Sequence, residues 1–168
     1  MEWAIGSIGG FCVGSSFVIE HHRLSGLGYC FSASLPPLLT SAATSALDIM
    51  ENQPKLFETL QKNCIQFHEG LKEIEHLKCI SAENSPVKHL CLKNYSDYDI
   101  EHNLLIQISK KCFENNLSVI VPPYLKNERE HPRPSLKICI SASLNLSDID
   151  FALKVIQKAS LTVLSNLI

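Results

Sequence analysis

The chain has 168 residues, with 15 Lys and Arg against 17 Asp and Glu, seven His and a formal charge of −2. At 45% hydrophobic and 19% charged residues, the composition is that of a chain that buries a core, and it excludes a disordered or collagen-like protein. The near-balanced charge supplies no basic face, so nucleic acid is not an expected partner.

The seven cysteines are Cys12, Cys30, Cys64, Cys79, Cys91, Cys112 and Cys139. None forms a Cys-x-x-Cys pair, so neither a zinc ribbon nor a dithiol redox site is expected. Spread this way they read as small buried apolar residues in a reducing compartment. Glu2 stands where a signal peptide would carry positive charge. Leu24 to Leu47 is free of charge, but Gly26, Gly28, Pro36 and Pro37 argue against a membrane-spanning helix there. The expectation is a soluble chain whose membrane association, if any, runs through a complex.

Six of the seven glycines lie between Gly6 and Gly28, so the first thirty residues read as short strands and tight turns. Phe11-Cys12-Val13 predicts a short buried strand. Ser16 to Leu24 predicts a helix capped by Ser15 or Ser16. Tyr29-Cys30-Phe31 predicts another extended piece. Pro36-Pro37 opens a helix running to about Asn52. Pro54 opens the next, whose Leu56, Leu60, Cys64, Phe67, Leu71 and Ile74 fall on one face.

The rest alternates. Lys78 to Ile80 and Val87 to Lys93 predict strands, with Leu90 and Leu92 on one face. Ser96-x-x-Asp99 predicts the start of a helix that carries Ile100, Leu104, Ile108 and Cys112 at four-residue spacing. Leu117 to Val121 predicts a strand stopped by Pro122 and Pro123. Tyr124 to Pro134 predicts an exposed polar loop. Leu136, Ile138 and Ile140 alternate with polar neighbours as in a half-buried strand. Ser147-x-x-Asp150 predicts the cap of a last helix that buries Ile149, Leu153, Ile156, Ala159 and Val163. From residue 76 onward this order implies an antiparallel or mixed sheet with helices on one face.

Local motifs show no catalyst. Gly6-Ser7-Ile8-Gly9-Gly10 lacks both the dinucleotide and the P-loop pattern and reads as a structural turn. His21-His22-Arg23 reads as a solvated helix face, since adjacent histidines diverge and no third metal ligand accompanies them. No nucleophile elbow is present. The acidic residues scatter as solvated charges on helix surfaces.

A longer pattern says more. Ser7-Ile8-Gly9-Gly10-Phe11-Cys12-Val13-Gly14 is followed by Phe17-Val18-Ile19, then Tyr29-Cys30-Phe31-Ser32-Ala33-Ser34-Leu35-Pro36-Pro37 and a helix with Ala42, Ala43 and Ala46. With Leu136-Lys137-Ile138 and Asp148-Ile149-Asp150 this resembles the α-oxoamine synthases, pyridoxal-phosphate transferases of the aspartate-aminotransferase fold. The resemblance implies an α/β protein with an α+β C-terminal part, the C-terminal portion of a fold-type I enzyme. Residues 1–52 would be a remnant of the large cofactor domain and the start of a linking helix. Residues 53–75 would be that helix, and 76–168 the small domain.

Two departures shape the functional expectation. The family's Schiff-base lysine position holds Trp3, and tryptophan can neither hold the cofactor nor move a proton. The family's Arg-Leu-Arg becomes Ser135-Leu136-Lys137, so Lys137 is left to meet a substrate carboxylate without the arginine fork. Loss of the lysine is similar to one branch, the non-catalytic long-chain-base subunits of serine palmitoyltransferase. That likeness implies no catalytic residue and no metal in this chain. It implies pyridoxal phosphate carried by a lysine-bearing partner subunit, with Ser32 and Ser34 reaching its phosphate. It also implies a heterodimer at the endoplasmic-reticulum membrane, on the cytosolic face, condensing L-serine with palmitoyl-CoA. An active synthase fragment and a free-standing α+β interaction module without acyltransferase activity are the alternatives.

Overall fold

The computed structural model describes residues 1–94, 97–124 and 132–165. They fall into two compact units, Met1–Pro54 and Lys55–Ile168.

The first unit is helical among its described residues: α1 (Glu2–Ile5), α2 (Ser16–Ser25), α3 (Leu27–Cys30) and α4 (Pro37–Asn52). α2 follows Ser15, and α4 opens on Pro37, whose missing N–H costs nothing in a first turn. Two expectations are corrected here. Phe11-Cys12-Val13 forms no strand, and Phe11 and Val13 stand 64% and 83% exposed. A strand needs a ladder partner for its N–H and C=O groups, and the described residues of this unit offer none. Tyr29 and Cys30 belong to α3 and not to an extended piece. The Gly26 N–H closes α2 on the His22 carbonyl at 2.9 Å, and the Gly26 carbonyl then accepts from Tyr29 and Cys30, restarting a helical turn. The uncharged stretch is thereby divided among α2, α3 and α4, and no described helix is long and apolar enough to cross a membrane.

The second unit holds α5 (Lys55–Lys72), β1 (Leu77–Cys79), β2 (Val87–Leu92), α6 (Tyr98–Glu114), β3 (Leu136–Cys139) and α7 (Leu146–Leu164). The three strands pair antiparallel in the order β1-β2-β3. Register follows the apolar alternation. Leu77 faces Leu92, and Leu90 faces Leu136, with Ile138 on the same side. These side chains join Cys64, Phe67 and Leu71 of α5, Leu105 and Ile108 of α6, and Ile149 and Ile156 of α7 in one buried cluster. α5 and α7 approach so closely that a Cβ on Gly70 would stand 2.2 Å from Leu153 Cδ1.

Several local expectations change. Leu117 to Val121 contributes one bridge, Ile120 to Lys137, and no strand, because Pro122 and Pro123 have no N–H to extend a ladder. Ile100 is exposed. α6 is capped by Asp97, which accepts from the Asp99 N–H at 2.9 Å, while Ser96 lies outside the described residues. α7 starts at Leu146, and its cap is Asn145, two residues before Ser147. The Asn145 side chain accepts from the Asp148 N–H at 3.0 Å, and Asp148 accepts from the Asn145 N–H at 2.9 Å. Of the Tyr124 to Pro134 loop, residues 125–131 lie outside the description, and its end is not exposed: Pro134 is fully buried. The cysteines also divide. Cys64, Cys91 and Cys112 are buried, whereas Cys12, Cys30 and Cys139 are exposed free thiols.

Candidate functional site

The glycine-rich start of the first unit folds into a cleft of about 810 Å³. α1 ends at Gly6 with φ 67°, and Gly9 follows with φ 80°, both conformations that glycine adopts without a steric cost. A Cβ on Gly9 would meet Leu35 Cδ1 at 3.1 Å, so glycine lets this loop sit against the segment leading into α4. Ser7, buried, donates to the Leu39 carbonyl at 3.3 Å and pins the loop to α4.

Ser32 and Ser34 line this cleft together, on the segment between α3 and α4. The Ser34 and Tyr29 hydroxyls lie 3.5 Å apart. Gly9 and Gly10 line it from the loop, and His22 and Arg23 from the last turn of α2. No carboxylate lines it. Hydroxyl donors, a guanidinium and close-set glycine backbone make an environment that accepts an anion. His22 and Arg23 are exposed, as a solvated helix face would be, yet they face a shared cleft, which spacing alone does not reveal. Tyr29 is also new to the site, because its placement depends on α3.

Trp3 sits in the one-turn helix α1, immediately before the glycine loop. Residues 1–54 contain no lysine, so among them no amine side chain is present to hold a carbonyl cofactor covalently. The residues therefore fit the phosphate end of pyridoxal phosphate and do not fit its aldehyde end.

Lys137 belongs to the second unit, half-buried on β3 opposite His89 of β2. His89 Nδ1 lies 2.9 Å from the hydroxyl of buried Ser135. Burial, and then the Lys137 charge, hold the His89 pKa below its ordinary value. Strand alternation puts His89 and Lys137 on the side away from Leu90 and Leu136, a pairing that needs the register as well as the sequence.

Two buried ionisable groups went unread in the sequence. Glu101 of α6 is fully buried. It accepts from the Leu92 N–H at 3.0 Å and from Arg133 Nε and Nη at 2.9–3.2 Å. Arg133 also donates to the Leu92 carbonyl at 2.5 Å. Lys88 is fully buried, donating to the Ala82 and Glu83 carbonyls at 2.8 and 2.7 Å, and burial lowers its pKa. Both groups serve architecture: Glu101 ties α6 and the segment before β3 to the end of β2, and Lys88 closes the β1–β2 turn. Among the described residues, no cluster of His, Cys, Asp and Glu could hold a metal.

Residues 4–156 match the family model "Aminotransferase class I and II". The chain is 36% identical over 166 residues to Serine palmitoyltransferase 1 of Dictyostelium discoideum, covering 94% of this chain and 35% of that protein. It is 27% identical over 161 residues to Serine palmitoyltransferase 2 of the same organism, covering 92% of this chain and 31% of that protein. The chain thus spans about a third of the length of these relatives. Its fold matches a serine palmitoyltransferase from S. paucimobilis, solved with a bound PLP–myriocin aldimine, at a TM-score of 0.78 and 22% identity, over 96% of this chain and 38% of that one.

Proposed function

The chain belongs to the aminotransferase class I and II family, and from that premise we propose that it is part of the lysine-free, long-chain-base subunit of serine palmitoyltransferase. The observation that carries this reading is an anion-accepting cleft built on the family's glycine loop in a unit without a lysine side chain. Higher identity to the relative named Serine palmitoyltransferase 1 than to the one named Serine palmitoyltransferase 2 supports the same choice.

In this reading a lysine-bearing partner subunit carries pyridoxal phosphate, and the two chains form a heterodimer. The cofactor, when bound, withdraws electrons from the Cα of L-serine, so that the carbon can attack the thioester of palmitoyl-CoA. This chain supplies Ser32 and Ser34 as hydroxyl donors toward the cofactor phosphate. Lys137 supplies positive charge for a substrate carboxylate, as a point charge and not as a fork. Residues 1–52 are then part of the large domain, 53–75 a linking helix and 76–168 the small domain. The complex works at the endoplasmic-reticulum membrane, on its cytosolic face.

The test is co-purification of the full subunit with a lysine-bearing partner, followed by serine and palmitoyl-CoA turnover. Ser32→Ala together with Ser34→Ala is expected to lower retained pyridoxal phosphate, read by its absorbance, with the heterodimer intact. A complex that retains the cofactor fully in this variant removes both serines from the proposal. Failure to recover any partner or turnover favours the second reading, a free-standing α+β interaction module, which the compact unit Lys55–Ile168 also supports.

A further inference from the structure

The cleft of the first unit holds more than a cofactor phosphate requires. Besides Ser32 and Ser34 it has the guanidinium of Arg23 and the imidazole of His22 on a different element, in the last turn of α2. It also has an apolar wall of Ile8, Phe11, Ile19 and Leu35, and no carboxylate. That turn of α2 is held in place by its surroundings. Gly26 closes α2 on the His22 carbonyl at 2.9 Å. A Cβ at Gly26 would stand 2.5 Å from that carbonyl oxygen, so glycine lets the chain turn this closely past the end of α2. Cys30 Sγ reaches the Arg23 and Leu24 carbonyls at 4.0 and 3.9 Å and ties α3 to the same turn.

A guanidinium at the end of α2 beside an apolar wall suits a ligand with a phosphate group at one end and an apolar portion at the other. We propose that Arg23, assisted by His22, binds a phosphate group of the acyl-coenzyme A substrate. This assignment rests on the reading of the chain as a serine palmitoyltransferase subunit, because that reading supplies the thioester. The shared chemistry is a phosphate ester, and the cofactor is the other possible source of one. Arg23 also lies where a cation favours the C-terminal end of the α2 dipole, so the decisive readouts must be ones that a structural role leaves unmoved.

The experiment uses the full heterodimer with Arg23→Gln and Arg23→Lys. Arg23→Gln is expected to raise KM for palmitoyl-CoA roughly tenfold, the size of one lost charge-assisted hydrogen bond. KM for serine and the absorbance of bound cofactor stay as in wild type, and Arg23→Lys recovers part of the loss. An unchanged KM for palmitoyl-CoA overturns the proposal. So does a loss of cofactor absorbance with that KM unchanged, which assigns Arg23 to the cofactor phosphate. Binding of coenzyme A alone, by calorimetry on the same complexes, separates the two readings. If wild type binds coenzyme A without turning over and Arg23→Gln does not bind it, the site stands and the reaction reading fails. Equal binding by both overturns the site. Should Arg23→Gln fail to assemble, His22→Gln and Arg23→Lys carry the same comparison.

Discussion

The two units reach order by different means. Among the described residues of Lys55–Ile168, three helices and three strands enclose one buried cluster. In Met1–Pro54, only Ser7 and Ala43 are buried among the described side chains, while Phe17, Leu24, Phe31 and Leu38 stand 80–85% exposed. The first unit is held chiefly by local backbone devices, glycine turns and a proline-opened helix, with the Ser7 hydroxyl on the Leu39 carbonyl as a longer-range tie. Local devices define shape but stabilise little without burial. Exposed large apolar side chains in such number are available to pack against other parts of an assembly, which agrees with a unit proposed to sit in a heterodimeric enzyme.

Substitutions in the second unit should therefore be costly to the chain alone. Glu101→Ala is expected to have the largest effect, about 3–5 kcal/mol, since it leaves the Leu92 N–H without its acceptor and strips Arg133 of its carboxylate partner. Urea unfolding followed by circular dichroism reads this as a lower midpoint, and an unchanged midpoint would mean that the pair contributes nothing net. Gly70→Ala comes next, at about 1–3 kcal/mol, because the new methyl must displace Leu153 between α5 and α7.

Phe17→Ala turns the comparison round. On the chain alone the expected change is within about 0.5 kcal/mol, since Phe17 loses only an exposed stack on His21. In the heterodimer the same change should weaken assembly, read as a higher subunit dissociation constant. If it is silent there too, the apolar surface of the first unit is not the one that assembles.

The same division explains what could be read in advance. In the second unit helix periodicity and strand alternation coincide with burial: Cys64, Phe67 and Leu71 fall inward at helical spacing, and Leu136, Ile138 and Ile140 at strand spacing. The pattern carries through because the core decides the fold. It misleads where a buried charged group replaces a hydrophobe, as at Glu101 in its ion pair with Arg133 and at Lys88 on two backbone carbonyls, since a lone charged letter looks solvated. In the first unit, by contrast, Phe11 to Val13 carries strand letters without strand neighbours, and its three residues stay irregular. The candidate site was legible as a motif through Ser32, Ser34 and the absent lysine, because those positions follow chain order. Tyr29, His22 and Arg23 join it only through α2 and α3. In the second unit, His89 meets Lys137 only through the β2–β3 register.

His89 gives the smallest effect, and the one read by pH. Its pKa in the folded chain is lowered, first by burial and then by Lys137. In the unfolded chain it returns to about 6.5. Between the folded value and 6.5 the unfolded state therefore binds more protons, and stability rises with pH through that window. Its contribution is complete above 6.5 and is lost as pH falls toward the folded pKa, where the imidazole must charge beside Lys137. His89→Gln keeps a polar group of similar reach to Ser135 but cannot titrate. The urea midpoint of the wild-type chain is thus expected to fall more between pH 7.5 and 5.5 than that of His89→Gln. Parallel slopes would show that the pair His89–Lys137 does not carry the dependence.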